Sequence, residues 1–293
     1  LDIKTNSHSG LIELHIAVLL FGGTALFSKL IPLSALDITL LRCCVAAVIL
    51  ALVVKSTGRH LRLKTQKDYF VAMGLGIIVS LHWVTYFASM QLSSVAIGMI
   101  AFFTYPVMTV LIEPIFTKTR LKRADLISGL SVLFGVSLLI PEATLGNDVT
   151  LGIVIGILSA MLFTARNLLH KRYFSQYSGA QAMFYQTVVA VPFLFPWHQA
   201  DISKIENHVW WLILLLGVVF TAAPHALFTS ALRQLSAKTV SLVSCLQPLY
   251  GALLALFLLG EELALKTVIG GTLVVITAIY ETQQSHKAHR VKK

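Results

Sequence analysis

The chain carries one pattern twice. His82 is followed by Gln91-Leu92-Ser93, and His225 by Gln234-Leu235-Ser236, at an offset of 143 residues. Elsewhere the offset is 142: Phe21 matches Phe163, Lys29 matches Lys171, Pro106 matches Pro248, and Gly129 matches Gly271. One residue gained and one lost between these blocks account for the difference. The sequence reads as two copies of a unit of about 140 residues, so the fold must be built from one design used twice.

The solvent of that unit follows from composition. Hydrophobic residues make up 56% of the chain and charged ones 12%, with a mean hydropathy of +0.80. A soluble domain carries about 25% charge. The charges cluster in short connectors, and the apolar stretches between them approach the roughly 20 residues that cross a bilayer as helix. Helices are predicted over 11–30, 36–54, 68–90, 94–116 and 123–140 in the first copy. The second copy gives 151–171, 179–197, 209–232, 238–259 and 265–281. A closed β-barrel is the other spanning solution, but these unbroken runs are too long for strands that alternate lipid-facing and lumen-facing residues. The expected fold class is an all-α membrane protein of ten transmembrane helices.

Lys and Arg set the orientation. With the N-terminus placed in the cytoplasm, 18 of the 23 fall in cytoplasmic segments, from Lys4 through the 55–67, 118–123, 171–172 and 233–238 connectors to the tail. Lys29, Lys204 and Lys266 fall outside, and Arg42 and Arg166 sit within helices. Five helices per copy is an odd number, so the second copy enters the membrane upside down and the repeats are inverted. The expected division is a first repeat over 11–140, a second over 151–281, and a basic cytoplasmic tail over 282–293. Inverted duplication is the mark of many secondary transporters, whose substrate site lies between the repeats. The net charge of +10 and pI near 9.6 do not point to nucleic acid, because topology already accounts for the basic residues. No small-residue cleavage site follows the first apolar run, which is expected to be retained. Cys43, Cys44 and Cys245 lie in predicted helices and are expected to be buried thiols, not a metal or disulfide set.

These features together resemble a known family. The Gly-rich first helix (Phe21-Gly22-Gly23-Thr24), the Arg in helix two, the Pro in helices four and nine, and the Leu259-Gly260-Glu261-Glu262 turn look like the drug/metabolite transporter superfamily, EamA type. The resemblance covers about residues 11–281, and one departure is Lys118-Thr119-Arg120 where the second copy has Gly260-Glu261-Glu262. It implies a bacterial inner-membrane protein that exports amino acids, other metabolites or toxic compounds, with its site in a central cavity between the halves.

Polar groups within spans identify the candidate pathway, because they are costly in hydrocarbon and usually face protein or water. His82 and Tyr86 share a face of helix three, and His225 is the repeat mate of His82. A histidine there holds a carboxylate, exchanges a proton near neutral pH, or simply bonds a neighbouring helix. Arg42 would pair an anionic group bidentately; its bland alternatives are snorkelling to the surface or pairing with Asp37. Arg166, beside Asn167, is a candidate for an inner vestibule. Pro106 and Pro248 each remove a mid-helix hydrogen bond beside Tyr105 and Gln247, with Tyr250 on the same face as Gln247. They are candidate hinges or static kinks. Arg42, His82, Tyr86, Tyr105, Arg166, His225, Gln247 and Tyr250 are therefore assigned to one substrate pathway.

Glu13 and Glu113 join His82 and His225 as candidates for coupling to protons. For Glu13 a helix-dipole role is favoured, for Glu113 a contact with Lys118 or Arg120. The Gly152-x-x-x-Gly156 spacing is read as packing within one bundle. The expected partners are a small-molecule substrate, the lipid bilayer and protons as candidate coupling ion. No catalytic residue, metal or cofactor is expected: His15, His82, His170 and His225 are too dispersed for a metal, and no Gly-x-Ser-x-Gly or His-Glu-x-x-His motif is present. Two other classes stand beside the exporter: a membrane-embedded enzyme, and a nucleotide-sugar or sugar-phosphate carrier. The latter would show several Arg or Lys side chains converging on the cavity, whereas a mostly apolar cavity with one or two polar groups fits amino acids or hydrophobic compounds. The charge bias makes both termini cytoplasmic: a reporter fused at Lys293 is expected to be active only as a cytoplasmic reporter, and periplasmic activity refutes the orientation.

Overall fold

A computed structural model describes residues 7–93, 95–118, 123–138 and 147–250, and short helical pieces between 265 and 280. The Leu259–Glu262 turn, Lys4, Thr119, Arg120, Lys266, Gly271 and the 282–293 tail lie outside the described residues. Among the described residues all regular structure is helical. In the first copy the helices are α1 (Ser7–Phe21), α2 (Phe27–Leu30), α3 (Ala35–Ser56), α4 (Gln66–Leu92), α5 (Val95–Phe102), α6 (Tyr105–Thr117) and α7 (Arg123–Leu138). In the second they are α8 (Asn147–Tyr173), α9 (Gly179–Leu194), α10 (Asn207–Gly217), α11 (Ala223–Gln234) and α12 (Ala237–Ser244). Six stretches are long and apolar enough to cross a membrane: 8–30, 35–56, 66–92, 97–117, 148–173 and 207–234. Large apolar side chains stand exposed around the bundle, among them Phe70, Ile115 and Trp211, as expected where the outer solvent is lipid.

Polar caps fix the helix starts. Ser34, Thr65, Ser178 and Ser236 each accept from the backbone N–H three residues on, and Thr65 forms a capping box with Asp68. Breaks within spans follow from proline. The fourth predicted span is interrupted at 103–104, and its repeat mate at 245–246. Pro106 and Pro248 sit just beyond these breaks and deny a donor to the carbonyls of Phe102 and Ser244. The helix resumes alike in both copies, with Met108 N–H bonded to the Thr104 carbonyl at 3.2 Å and Tyr250 N–H to that of Leu246 at 3.0 Å. The expected kinks are thus full interruptions. A third break lies between α10 and α11, where 218–222 form a π turn ahead of Pro224. The Phe220 carbonyl, which Pro224 leaves without its helical donor, accepts from Thr24 Oγ across the repeat boundary at 3.4 Å.

Hydrogen bonds at one end of the bundle establish the inversion. Gln234, at the end of α11, donates to Glu13 in α1 at 3.2 Å. Lys171, at the end of α8, donates to the carbonyls of Leu232 and Leu235. The start of α1 therefore lies with the end of its repeat mate α8, and the two run antiparallel. The contacts between copies have the matching symmetry: α1 packs on α11, α4 on α8, and α3 on α9. The end of the bundle where α1 begins is called here the entry end, and the opposite one the far end.

Small residues set the closest approaches. A Cβ at Gly156 would meet Ala101 Cβ at 2.5 Å, and one at Gly152 the Ser89 carbonyl at 3.0 Å, so this pair seats α8 on α4 and α5 within the bundle. Gly179 is tighter: an added Cβ would press on the Ala226 carbonyl and lie 2.7 Å from the Ser230 nitrogen, both backbone atoms. Gly179→Val is expected to destabilise by about 1–3 kcal/mol or more, as overpacking does. At Gly74 nothing lies within 4 Å, so Gly74→Ala is expected to be neutral or slightly stabilising. Thermal unfolding of both variants in detergent checks the contrast; equal effects overturn it.

Candidate functional site

A cavity with an empty volume of about 440 Å³, counting its mouth, lies at the centre of the bundle between the two copies. Its walls follow the repeat. His82 and His225, Phe21 and Phe163, Tyr105 and Gln247, and Phe102 and Ser244 are all mates at the 142- or 143-residue offset, and all eight line it. The pseudo-two-fold axis therefore passes through the cavity. Arg42, Tyr86, Trp83 and Thr24 extend the lining toward the far end.

Arg42 dominates the electrostatics. It is 1% exposed, and its guanidinium carbon stands 4.6 Å from the Trp83 ring centroid and 4.8 Å from that of Phe87. Both rings attract the guanidinium through cation–π contact. Its Nε and Nη2 atoms have no hydrogen-bond partner in the protein. Neither bland alternative for Arg42 applies. Burial removes snorkelling, and Asp37 is engaged elsewhere, accepting from Ser34 Oγ at 2.6 Å and Gln199 N–H at 3.1 Å.

The histidines are held differently. His82 Nδ1 lies 2.8 Å from Ser159 Oγ, and its ring stacks on Phe102 with centroids 5.4 Å apart. His225 meets the edges of Phe21 and Trp83 at 4.6 and 4.9 Å. Tyr86 packs against Phe102 at 5.1 Å, and its hydroxyl lies beside Gln247 without a hydrogen bond of good geometry. The Tyr105 hydroxyl crosses to the Ser241 carbonyl of α12 at 3.3 Å.

Six of the eight pathway candidates thus meet in one cavity: Arg42, His82, Tyr86, Tyr105, His225 and Gln247. Tyr250 packs against the apolar core instead. Arg166, 1% exposed, sits away from the cavity in a shell of neutral acceptors. It donates to Gln186 Oε1 at 2.7 Å, Asn167 Oδ1 at 3.0 Å and Thr229 Oγ1 at 2.9 Å. Of the four candidates for proton coupling, only the histidines reach the cavity. Glu13 accepts from Ser9 and Gln234 at the entry end, one turn further into its helix than expected because α1 begins at Ser7. Glu113, expected to contact Lys118 or Arg120, caps α12: its carboxylate accepts from the N–H groups of Ala237 at 2.8 Å and Lys238 at 2.6 Å. A buried carboxylate gains more from a helix N-terminus than from solvated lysines. Cys43 and Cys245 are buried, but Cys44 is exposed on the outer side of α3.

The aromatic walls were not singled out from sequence. Phe163 carried a signal there, as the identical repeat mate of Phe21. Trp83 and Phe228 carried none. Among the described residues, no group of three or more His, Cys, Asp or Glu side chains could hold a metal ion.

Comparison with known proteins agrees with this architecture. The EamA-like transporter family matches residues 8–140 and again 150–280. The chain belongs to the EamA-like transporter family. An uncharacterized transporter, YxxF, of Bacillus subtilis (strain 168) is 24% identical over 245 residues, 82% of this chain and 78% of that one. An uncharacterized transporter of Archaeoglobus fulgidus is 23% identical over 261 residues, 89% of this chain and 91% of that one. A solved crystal structure shares the fold with a TM-score of 0.78, covering 95% of this chain and 99% of that one at 15% identity. The chain is accordingly a multi-pass membrane protein of a transporter family, and the lipid bilayer is its solvent.

The two buried arginines have opposite stability roles. Arg166→Ala leaves three buried acceptors without a donor and is expected to cost about 2–3 kcal/mol. Arg42→Met removes a buried charge that lacks a protein partner and is expected to leave stability unchanged or raised. Unfolding midpoints in detergent decide it, and equal losses overturn the distinction.

Proposed function

We propose that the protein is a secondary transporter of the bacterial inner membrane, with both termini cytoplasmic, that exports a small metabolite by alternating access through this cavity. The observation that carries the reading is the placement of four repeat-mate pairs on the cavity walls. A site on the axis between inverted copies is reached equally from either side when one copy rocks against the other. On the orientation given by the charge bias, the entry end is cytoplasmic. Cross-copy bonds at that end support a state closed to the cytoplasm: Gln234 to Glu13, Glu113 to the start of α12, Arg172 to the Phe116 carbonyl, and Tyr177 to Asp68. Export over import rests on family resemblance. Among the described residues one Arg and no Lys line the cavity, which favours a small metabolite over a sugar phosphate or nucleotide sugar.

Inverted symmetry states what the opposite conformation looks like. Each lining residue exchanges with its mate, so Thr24 gives way to Arg166, and Tyr86 to Thr229. Arg166 and Thr229, bonded to each other here, then become the cytoplasm-facing wall. This keeps Arg166 in the pathway, as a group hidden in one state and presented in the other. In a background lacking Cys43, Cys44 and Cys245, Tyr86→Cys is expected to react with an impermeant thiol reagent only from the periplasm. Thr229→Cys is expected to react only from the cytoplasm. Reaction of both from one side, or of neither, refutes alternation about this axis. Metabolite profiling of cells overproducing the protein should show efflux that Arg42→Ala abolishes at unchanged membrane abundance.

A further inference from the structure

The cavity's polar groups are unbalanced in sign. Arg42 brings a permanent positive charge, and its Nε and Nη2 donors have no partner in the protein. Among the described residues no Asp or Glu lines the cavity. The nearest acid on the same helix, Asp37, is bonded to Ser34 and Gln199. Arg166 does not answer the charge either, since it is itself a cation with neutral partners. Among the described residues the ion pairs are two surface contacts, Lys204 with Asp201 and His208 with Glu206. The cavity thus holds one positive charge that the protein leaves uncompensated.

Geometry narrows the ligand further. Trp83 and Phe87 stand against the guanidinium, 4.6 and 4.8 Å from its carbon, and the unpartnered Nε and Nη2 share one edge of it, the pair of donors that a carboxylate meets with two parallel hydrogen bonds. A dianion such as a phosphate monoester would bring a second charge with no second cation to meet it. An ammonium group would enter beside Arg42 with no carboxylate to pair, in a site where burial strengthens the repulsion. Phe21, Phe102, Phe163 and Phe228 supply the remaining wall, suited to a flat apolar body.

We infer that the substrate is a monocarboxylate with an apolar, ring-sized body and no ammonium group, its carboxylate held by Arg42. This rests on the reading of the cavity as the transport site, and it replaces the broader expectation of an amino acid. The test uses four compounds that share a phenylpropyl or similar body: 3-phenylpropionate, 3-phenylpropanol, 3-phenylpropylamine and phenylalanine. Binding to the purified protein in lipid nanodiscs is measured by calorimetry. 3-Phenylpropionate is expected to bind at least about tenfold more tightly than the other three, as a bidentate charged pair would give. Arg42→Gln should erase that preference while leaving the affinity for the alcohol in place, and Arg42→Lys should restore part of it. Equal or tighter binding of the amine or of phenylalanine overturns the inference, as does a preference that survives Arg42→Gln. If Arg42→Gln does not fold, the ranking of the four compounds on the native protein decides alone. Phe163→Trp, which fills the cavity, separates the two levels. Binding that ignores head group but is lost in Phe163→Trp leaves the cavity as the site and removes the substrate class. Binding that Phe163→Trp does not affect removes the cavity itself, and no binding by any of the four removes the class.

Discussion

A backbone carbonyl that loses its helical donor inside a bilayer must find another partner or face a polar space, because lipid offers no hydrogen bonds. Prolines impose that condition here: Pro114 and Pro192 lie within α6 and α9, which continue through them, and three others stand at breaks. Pro106 and Pro248 break symmetry-related helices, and Pro224 breaks the span formed by α10 and α11. Phe103, Thr221 and Cys245, one within each break, are fully buried. The Phe220 carbonyl freed by Pro224 is taken up by Thr24 of the other copy. Residues flanking the first two breaks, Phe102 and Tyr105 on one side and Ser244 and Gln247 on the other, line the cavity. The two symmetry-related breaks therefore border the cavity, and their place follows from a proline that recurs in the repeated unit.

Duplication also explains why two buried arginines behave so differently. Arg42 and Arg166 are not mates: Arg42 corresponds to Phe184 and Arg166 to Thr24. The two copies share a scaffold but place one guanidinium each at unrelated positions on it. In this conformation the far side of the axis presents Arg42 to the cavity with donors unmet, while on the near side Arg166 is bonded to neutral acceptors. A buried charge without any partner is expensive, so the neutral shell of Gln186, Asn167 and Thr229 is what allows Arg166 to be enclosed at all.

Much of this was legible in the sequence, because hydrophobic length and repeat offset are strong local signals. Span boundaries such as those of α3 and α4 were found to within about two residues, since caps like Ser34 and Thr65 stop helices where polar side chains can reach the backbone. Pairing by offset found His82 with His225 and Pro106 with Pro248. What could not be read was partner choice. Glu113 and Lys118 are close in sequence, so a local contact was expected, but the carboxylate faces a helix start 124 residues away. Arg42 and Asp37 are also near in sequence, and Asp37 is taken by the loop nitrogen of Gln199. Such partners depend on which helices meet, and that is decided by small residues at crossings, among them Gly179 and Gly156. Trp83 and Phe228 were invisible for a related reason: an aromatic residue in an apolar span looks the same whether it faces lipid, core or cavity.

In the proposed cycle a closed entry end has to be held without being held too firmly. Glu113 on the start of α12, Arg172 on the Phe116 carbonyl and Gln234 on Glu13 tie copy to copy with charged or charge-assisted hydrogen bonds. The same region encloses groups that those bonds do not reach. His170 is fully buried with neither ring nitrogen bonded within the protein, and the Asn167 amide nitrogen also lacks a partner. Each such group costs about 1–3 kcal/mol, comparable to what each tie contributes. Opening this end breaks the ties and at the same time hydrates the stranded groups, so the two changes offset. A transporter needs two conformations within a few kcal/mol of each other. On that proposal, opposing polar terms at one end of the bundle supply the near-balance.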